Sequence, residues 1–341
     1  MRRAATPIDI LRAQATTIIS ELPRLRDGHA DAIHDARVAS RRIRAALPLT
    51  GEWYPPDALD DLETTFRRIG KTLGRVRDTD ARMALLGYLE ARIPPAAPSL
   101  LALHRRQERD RLHVVRKLIK QFERSEVTRT LDTIAAGPPR AWWRWTSKGG
   151  EWRDDLRRAI GERAAAAREA IDHASGVYFP NRSHAARVAL KKLRYALEIA
   201  CAAGAGRATY ESLRYLKNTQ DVLGDLHDRH VLVDDLPPTP TRELPEIDSD
   251  QIALVRQVLD AESRDLYARF VRRRPHVFQI CNRFAPARER RRLPIAPAAA
   301  ALVVSSAFYF LSRRTRQAEL RPLDRDISIR IPIPEAPVHG R

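Results

Sequence analysis

Residues 34–47 read HDARVASRRIRAAL, and residues 184–198 read HAARVALKKLRYALE. Each stretch has a histidine, an arginine three residues later, a basic pair at positions plus seven and plus eight, and an arginine at plus ten. A displacement of 150 residues superposes the two stretches, and the same displacement places residues 72–80, TLGRVRDTD, on residues 222–230, VLGDLHDRH. Two motifs that share one offset indicate an internal duplication.

Apolar residues recur at spacings of three and four in both halves, as they do on one face of an α-helix. In the first half the pattern predicts helices over about residues 7–22, 32–49 and 56–76, a shorter one after Asp78, and one over 99–126. In the second half it predicts helices over about 154–174, 183–203, 207–226, 229–236 and 249–273. Because strand-like alternation is nearly absent, we predict an all-α protein made of two related helical bundles.

The predicted bundles occupy residues 1–140 and 141–275, and residues 276–341 form a basic C-terminal extension rich in proline and arginine. Four tryptophans cluster near the junction of the bundles. Packing between bundles is the common use of such side chains, and a stacking platform for nucleic-acid bases is the alternative. These residues are Trp142, Trp143, Trp145 and Trp152.

The chain of 341 residues has 61 lysines and arginines against 43 acidic residues, a formal net charge of +18. Such a charge attracts polyanions, namely nucleic acid, anionic membrane or polyphosphate. Two cysteines are too few for a disulfide scaffold, and the N-terminal residues lack the apolar stretch of a signal peptide. We therefore expect a cytoplasmic protein.

Residues 293–312 contain no charged side chain and are flanked by arginines on both sides. The stretch is long enough to span a bilayer, although its prolines and alanines make it weakly hydrophobic. It is therefore either a membrane anchor or a helix that docks on the protein. In the first case the arginines before it would also contact anionic lipid.

The repeated motif places its cations on one face of a helix and its apolar residues on the opposite face. Like charges at spacings of three and four repel one another, and the cationic face contains no acid, so an external polyanion is expected to supply the negative charge. Ten residues of helix span about 15 Å, which suits a linear polyanion. The two cationic stripes consist of His34, Arg37, Arg41 and Arg44, and of His184, Arg187, Lys191 and Arg194, with Arg42 and Lys192 at their flanks.

The next helix adds cations that its apolar stripe forces outward. They are Arg68, Lys71 and Arg75 in the first half and Arg214 and Lys217 in the second. Asp221 and Asp225 stand where the repeat would place the counterparts of Lys71 and Arg75. The first half is therefore expected to contribute more positive charge from this helix.

The second repeated motif contains a glycine and an aspartate. Asp78 and Asp228 are predicted to cap a following helix, because aspartate favours such positions; the alternative is a hydrogen bond that holds a nearby histidine or arginine. Gly74 and Gly224 lie within helical patterns, where glycine costs about 1 kcal/mol relative to alanine. Close approach of another helix would explain both glycines.

The doubled pattern H-x-x-R-V-A-x-[RK]-[RK]-[LI]-R followed by L-G-x-x-x-D resembles the CHAD family, the conserved histidine α-helical domain, over about residues 5–275. The resemblance implies two antiparallel four-helix bundles related by pseudo-twofold symmetry. It also implies a basic surface that binds inorganic polyphosphate through the two stripes and can target proteins to polyphosphate granules. Some members carry a CYTH domain with an E-x-E-x-K signature, which this sequence lacks. We expect a stand-alone binding module.

Two other functions would also use parts of this pattern. His34 and Asp35 could suggest a metal phosphohydrolase, but Ala185 stands at the matching position and the arginines would repel a divalent cation. No phosphate-binding glycine loop or placed general acid occurs, so we expect no enzymatic activity, metal or cofactor. Sequence-nonspecific nucleic-acid binding is the alternative function, since the stripes would also release counterions from a nucleic-acid backbone. Apart from Tyr195, the stripes lack the amide or aromatic side chains that read bases.

Overall fold

The structure is a computed structural model that describes residues 5–139, 151–176 and 178–285. These residues form nine α-helices and no sheet, which confirms the all-α prediction. The helices are α1 (Pro7–Arg26), α2 (Ala30–Ala46), α3 (Pro56–Arg92), α4 (Ala97–Phe122), α5 (Ser125–Ala136), α6 (Glu151–His173), α7 (Pro180–Ala202), α8 (Arg207–Asp235) and α9 (Ser249–Phe284).

The second half repeats the helix order of the first, with the single helix α9 in the place of α4 and α5. Helix α2 begins at Ala30 and α7 at Pro180, and α3 begins at Pro56 and α8 at Arg207, so the offset of the motifs extends to the helices that carry them. In the first half α1 packs on α2 and α5, and α3 packs on α4. In the second half α6 packs on α7 and α9, and α8 packs on both of the same helices. Contacts of α2 with α7 and of α3 with α8 join the halves.

The apolar face of the repeated motif is buried, as its pattern predicts. Ala39, Ile43 and Ala46 are at most 1% exposed in α2, and Leu193 and Leu197 are fully buried in α7. This face contributes to a core shared by both halves. The cationic faces are consequently turned away from the core, toward the space between the halves.

A second apolar cluster joins the halves where the α3–α4 hairpin meets the α8–α9 hairpin. Its members include Leu86 and Leu89 of α3, Leu232 of α8, and Val255 and Leu259 of α9, all nearly or fully buried. Burial of one such side chain contributes about 1.5–3 kcal/mol. This cluster fixes α3 beside α8.

Several predicted helix ends are wrong. Helices α3 and α8 run without interruption through Asp78 and Asp228, so neither aspartate caps a helix. The helix predicted over 99–126 ends at Phe122, and α5 begins at Ser125. Helix α9 continues through Pro275 to Phe284 because Val277, Ile280 and Cys281 are buried beyond the proline, and their burial offsets its cost of about 3 kcal/mol.

Trp152 is 3% exposed and belongs to the shared core, and its backbone N–H donates to Glu52 Oε1 at 2.6 Å. The packing interpretation is therefore confirmed for Trp152. The other three tryptophans and residues 293–312 lie outside the described residues. Within the described ranges, no helix combines the length and apolar character needed to cross a membrane.

Candidate functional site

A cavity of about 940 Å³, here called the basic cavity, lies between α2, α7 and α8, with Arg77 of α3 also in its wall. The contact of α2 with α7 brings the two cationic stripes together along it. Nine of the predicted site residues line it. They are His34, Arg37, Arg41 and Arg42 of α2, Arg187, Lys191 and Arg194 of α7, and Arg214 and Lys217 of α8.

Four half-buried cations form the centre of this lining. No carboxylate in the described part of the chain forms an ion pair with Arg37, Arg41, Arg187 or Lys191. Burial, and then the neighbouring guanidinium groups of Arg187, Arg37 and Arg41, lower the pKa of Lys191 to about 8. Burial also lowers the pKa of each of the three arginines. The site therefore concentrates positive charge that the protein itself does not neutralise.

Tyr195 and Glu198 organise one end of the basic cavity. The guanidinium groups of Arg41 and Arg194 lie 4.5 and 5.0 Å from the centre of the Tyr195 ring, in cation–π contact. Glu198 pairs with Arg194 at 3.4 Å and with Arg42 at 3.8 Å. These contacts hold the arginines in place while leaving the cavity an excess of positive charge.

Helix α8 contributes both cations and carboxylates to the wall of the basic cavity. Arg214 and Lys217 come first along the helix, and Asp221 and Asp225 follow one and two turns later, all facing the cavity. Burial, and then the neighbouring acids Asp228 and Asp221, raise the pKa of Asp225 although Arg229 opposes them. The expectation that the first half contributes more positive charge from this helix does not hold for the cavity lining, because Arg214 and Lys217 of α8 line it and the three cations predicted in α3 do not.

Six predicted site residues lie outside the lining of the basic cavity. Arg44 packs over Gly70 of α3, Arg68 pairs with Glu126 at 2.9 Å, and the His184 ring contacts the His227 ring at 4.7 Å between centroids. The remaining three are exposed cations. They are Lys71, Arg75 and Lys192.

The repeated aspartates lie beside the site rather than at helix ends. Arg77 Nη1 donates to Asp228 Oδ1 at 3.2 Å and lies 3.7 Å from Asp78 Oδ1. Although burial lowers the pKa of Arg77, the carboxylates of Asp228 and Asp78 more than offset burial and raise it. The alternative interpretation, an aspartate that holds an arginine, therefore describes Asp228.

The predicted close approach at Gly74 and Gly224 is wrong. A Cβ atom at either position would meet no atom of the described residues within 4 Å, and Gly224 lines the basic cavity. Close approach occurs instead at Gly70, where a Cβ atom would lie 2.9 Å from Arg44 Nη1.

The family model described as the CHAD domain matches residues 9–236, more than half of the chain. The chain belongs to the CHAD family. Two solved structures share the fold: PptA from Streptomyces chartreusis and the CHAD domain from the plant Ricinus communis. PptA has 18% sequence identity, a TM-score of 0.53, and coverage of 81% of this chain and 97% of its own. The Ricinus domain has 23% identity, a TM-score of 0.52, and coverage of 81% and 93%.

No match was found among curated proteins. At these levels of identity the two structures support the CHAD fold, and the chemistry of the site is argued from its own residues.

The sequence analysis did not predict several side chains that line the basic cavity. Arg77 and Gln220 lie outside the predicted cationic positions of α3 and α8. Tyr195 and Glu198 directly follow the second cationic stripe, in α7. Glu198 lies one helical turn after Arg194, a spacing that predicts an ion pair. No sequence pattern predicts Tyr210 as a cavity residue, because its place in the lining depends on how the start of α8 packs beside α7.

Proposed function

We propose that this CHAD protein binds inorganic polyphosphate in the basic cavity without transforming it, as a cytoplasmic module that can reside at polyphosphate granules. The observation that carries the proposal is the convergence of both cationic stripes on one cavity of about 940 Å³. A linear phosphate chain supplies regularly spaced oxygens that guanidinium groups bind in bidentate fashion.

The charge balance of the cavity supports a polyanion rather than a single phosphate. Four half-buried cations lack a paired carboxylate within the described residues, and burial and mutual repulsion lower the pKa of Lys191 to about 8. A ligand with many negative charges relieves this repulsion along the whole stripe. One phosphate group would neutralise part of it.

The geometry of Tyr195 favours polyphosphate over nucleic acid. Proteins that bind single strands combine cations with aromatic rings on which bases stack. The Tyr195 ring is engaged by the guanidinium groups of Arg41 and Arg194. The Tyr195 ring therefore holds cations for phosphates instead of stacking on a base.

The lining also supports binding without catalysis. The side chains that converge are mainly guanidinium groups, which stay protonated and do not act as general bases.

The proposal is tested by titrating the full chain with long-chain polyphosphate and with single-stranded and duplex DNA over a salt series. In the test variant Arg37, Arg41, Arg187 and Lys191 are changed together to glutamine, and we expect at least a hundredfold weaker polyphosphate binding. The control variant changes Arg68, Lys71, Arg75 and Lys192 to glutamine. It removes the same charge from residues that do not line the cavity.

Binding that survives excess DNA, fails in the test variant and persists in the control would support polyphosphate as the ligand. Equal affinity for all three polymers would instead support sequence-nonspecific nucleic-acid binding. Equal losses in both variants would place binding on the general positive field of the protein and contradict a role for the cavity.

A further inference from the structure

A second cavity, of about 420 Å³ and here called the apolar cavity, adjoins one end of the basic cavity. It lies between α1, α2, α7 and the start of α8, and its wall includes Ile10, Ala13 and Ile199. The two cavities share Arg42, Tyr195, Glu198, Tyr210 and Leu213 in their linings. A ligand bound in one cavity can therefore extend into the other.

The apolar cavity lacks the excess of positive charge found in the basic cavity. Asp9 and Glu198 contribute two carboxylates to its lining, whereas Arg42 contributes one cation and pairs with Glu198 at 3.8 Å. Ligand cavities of about 300–1,000 Å³ that are mostly apolar, with few polar groups, are typical of sites for organic molecules. Such a lining suits an uncharged organic group better than a phosphate.

Tyr210 provides an aromatic face where the two cavities meet. Its side chain is 52% exposed, and its hydroxyl group donates to the Cys201 carbonyl oxygen at 3.0 Å, which fixes the ring. A planar base can stack on such a ring. Gln14 and Glu198 add hydrogen-bond acceptors in the same cavity.

The aromatic residues break the internal symmetry of the protein. The equivalents of Tyr195 and Tyr210 in the first half are Ala45 and Asp60. The two stripes alone would bind a symmetrical phosphate chain in either direction. An aromatic and apolar site at one end distinguishes the ends of the ligand.

We propose that the two cavities together bind a nucleoside polyphosphate, with its phosphates in the basic cavity and its nucleoside in the apolar cavity against Tyr210. This inference rests on the proposed function, because the basic cavity must first bind a phosphate chain. It adds that an organic end group increases the affinity of a short chain.

The experiment compares ATP with inorganic tripolyphosphate, which has the same number of phosphates and more negative charge, on the full chain in the presence of a chelator. We expect ATP to bind at least tenfold more tightly. The variant Ala13→Phe fills the apolar cavity from an exposed helix position. It should remove the ATP advantage and leave tripolyphosphate affinity unchanged.

The matched control is Ala91→Phe, at an exposed position of α3 that lines neither cavity. It should keep the ATP advantage. Tripolyphosphate binding as tight as ATP binding would overturn the inference, as would an ATP advantage that persists in Ala13→Phe. Tight binding of long polyphosphate with no binding of ATP would overturn it while leaving the proposed function intact. If the protein bound neither long polyphosphate, ATP nor tripolyphosphate, both the inference and the proposed function would be rejected.

Discussion

Lys191 shows at the scale of one residue why the basic cavity favours an anion. Its ammonium group is half-buried among guanidinium groups, and burial followed by repulsion from Arg187, Arg37 and Arg41 lowers its pKa from 10.5 to about 8. Each unit of such a difference corresponds to about 1.4 kcal/mol between the protonation states. The charge of Lys191 therefore reduces the stability of the ligand-free fold and becomes favourable when an anion binds.

We predict that Lys191→Met stabilises the ligand-free protein at pH 7 by about 2 kcal/mol after allowance for solvent screening, and weakens polyphosphate binding about tenfold. Below pH 8 both folded and unfolded states carry the proton, so the gain is largest there. Between pH 8 and 10.5 the unfolded state binds more protons, wild-type stability rises, and the gain disappears. Urea unfolding at several pH values measures this.

The control is Lys192→Met, which changes an exposed neighbour that does not line the cavity. It should alter stability and binding little at any pH. If Lys191→Met instead destabilised the protein at pH 7, the lysine would be part of the packing rather than an excess charge.

At this scale the sequence predicts correctly those side chains whose position depends only on which face of a helix they occupy. The cationic face of α2 was predicted from residue spacing, and Arg37 and Arg41 do line the cavity. Arg44 lies on the same predicted face but packs over Gly70, because a neighbouring helix covers that end of α2. The position of a neighbouring helix depends on tertiary packing, which a helical wheel does not contain.

At the scale of helices, the duplication predicted the helix order, but not the lengths of α3 and α8. Both helices continue past the repeated aspartates because apolar side chains beyond them are buried, among them Leu86 and Leu89 in α3 and Leu232 in α8. Asp228 pairs with Arg77 from the side of its helix and caps no terminus. An aspartate within a helix and an aspartate at a cap look alike in sequence. Only the partner across the two halves distinguishes them.

The acidic end of α8 faces the same cavity as the two cationic stripes. Changing Asp221 and Asp225 together to asparagine should tighten polyphosphate binding about fivefold, because each carboxylate repels the ligand by up to about 1 kcal/mol in a solvated site. Isothermal titration at two salt concentrations measures the effect. The gain should shrink at high salt, where such repulsion is screened.

The matched control for α8 changes Asp132 and Asp265 to asparagine. Both are exposed, lie on α5 and α9, and are absent from the cavity lining, so net charge rises equally without a local effect. An equal increase in affinity in both double variants would show that overall charge, rather than the acidic end of α8, sets the affinity.

At the scale of the whole molecule, the site exists because the two halves are held together. Apolar contacts between the α3–α4 and α8–α9 hairpins fix α3 beside α8, and the Arg77–Asp228 pair crosses the same boundary at the edge of the basic cavity. The sequence predicted two related bundles but not this boundary. Buried apolar faces reveal that a helix packs, without revealing which helix it packs against.

The Arg82–Asp235 pair, with a distance of 2.6 Å, also crosses between α3 and α8, but neither residue lines the basic cavity. A variant of this pair therefore tests the effect of weakening the contact between the halves without changing the cavity. Asp235→Asn should lower the free energy of unfolding while leaving polyphosphate affinity unchanged.

We predict that Asp228→Asn lowers the free energy of unfolding by about 2 kcal/mol, because it replaces the carboxylate that accepts from Arg77 between the halves with an uncharged amide. It should also tighten polyphosphate binding several-fold, since Arg77 keeps only Asp78 as a neighbouring carboxylate and Arg187 loses a nearby negative charge. Chemical unfolding with and without polyphosphate measures both effects, and the double variant Arg77→Gln with Asp228→Asn should lose the gain in affinity. Weaker binding by Asp228→Asn would mean that the pair orients Arg77 for the ligand, whereas tighter binding means that Asp228 competes with the ligand for the same cation.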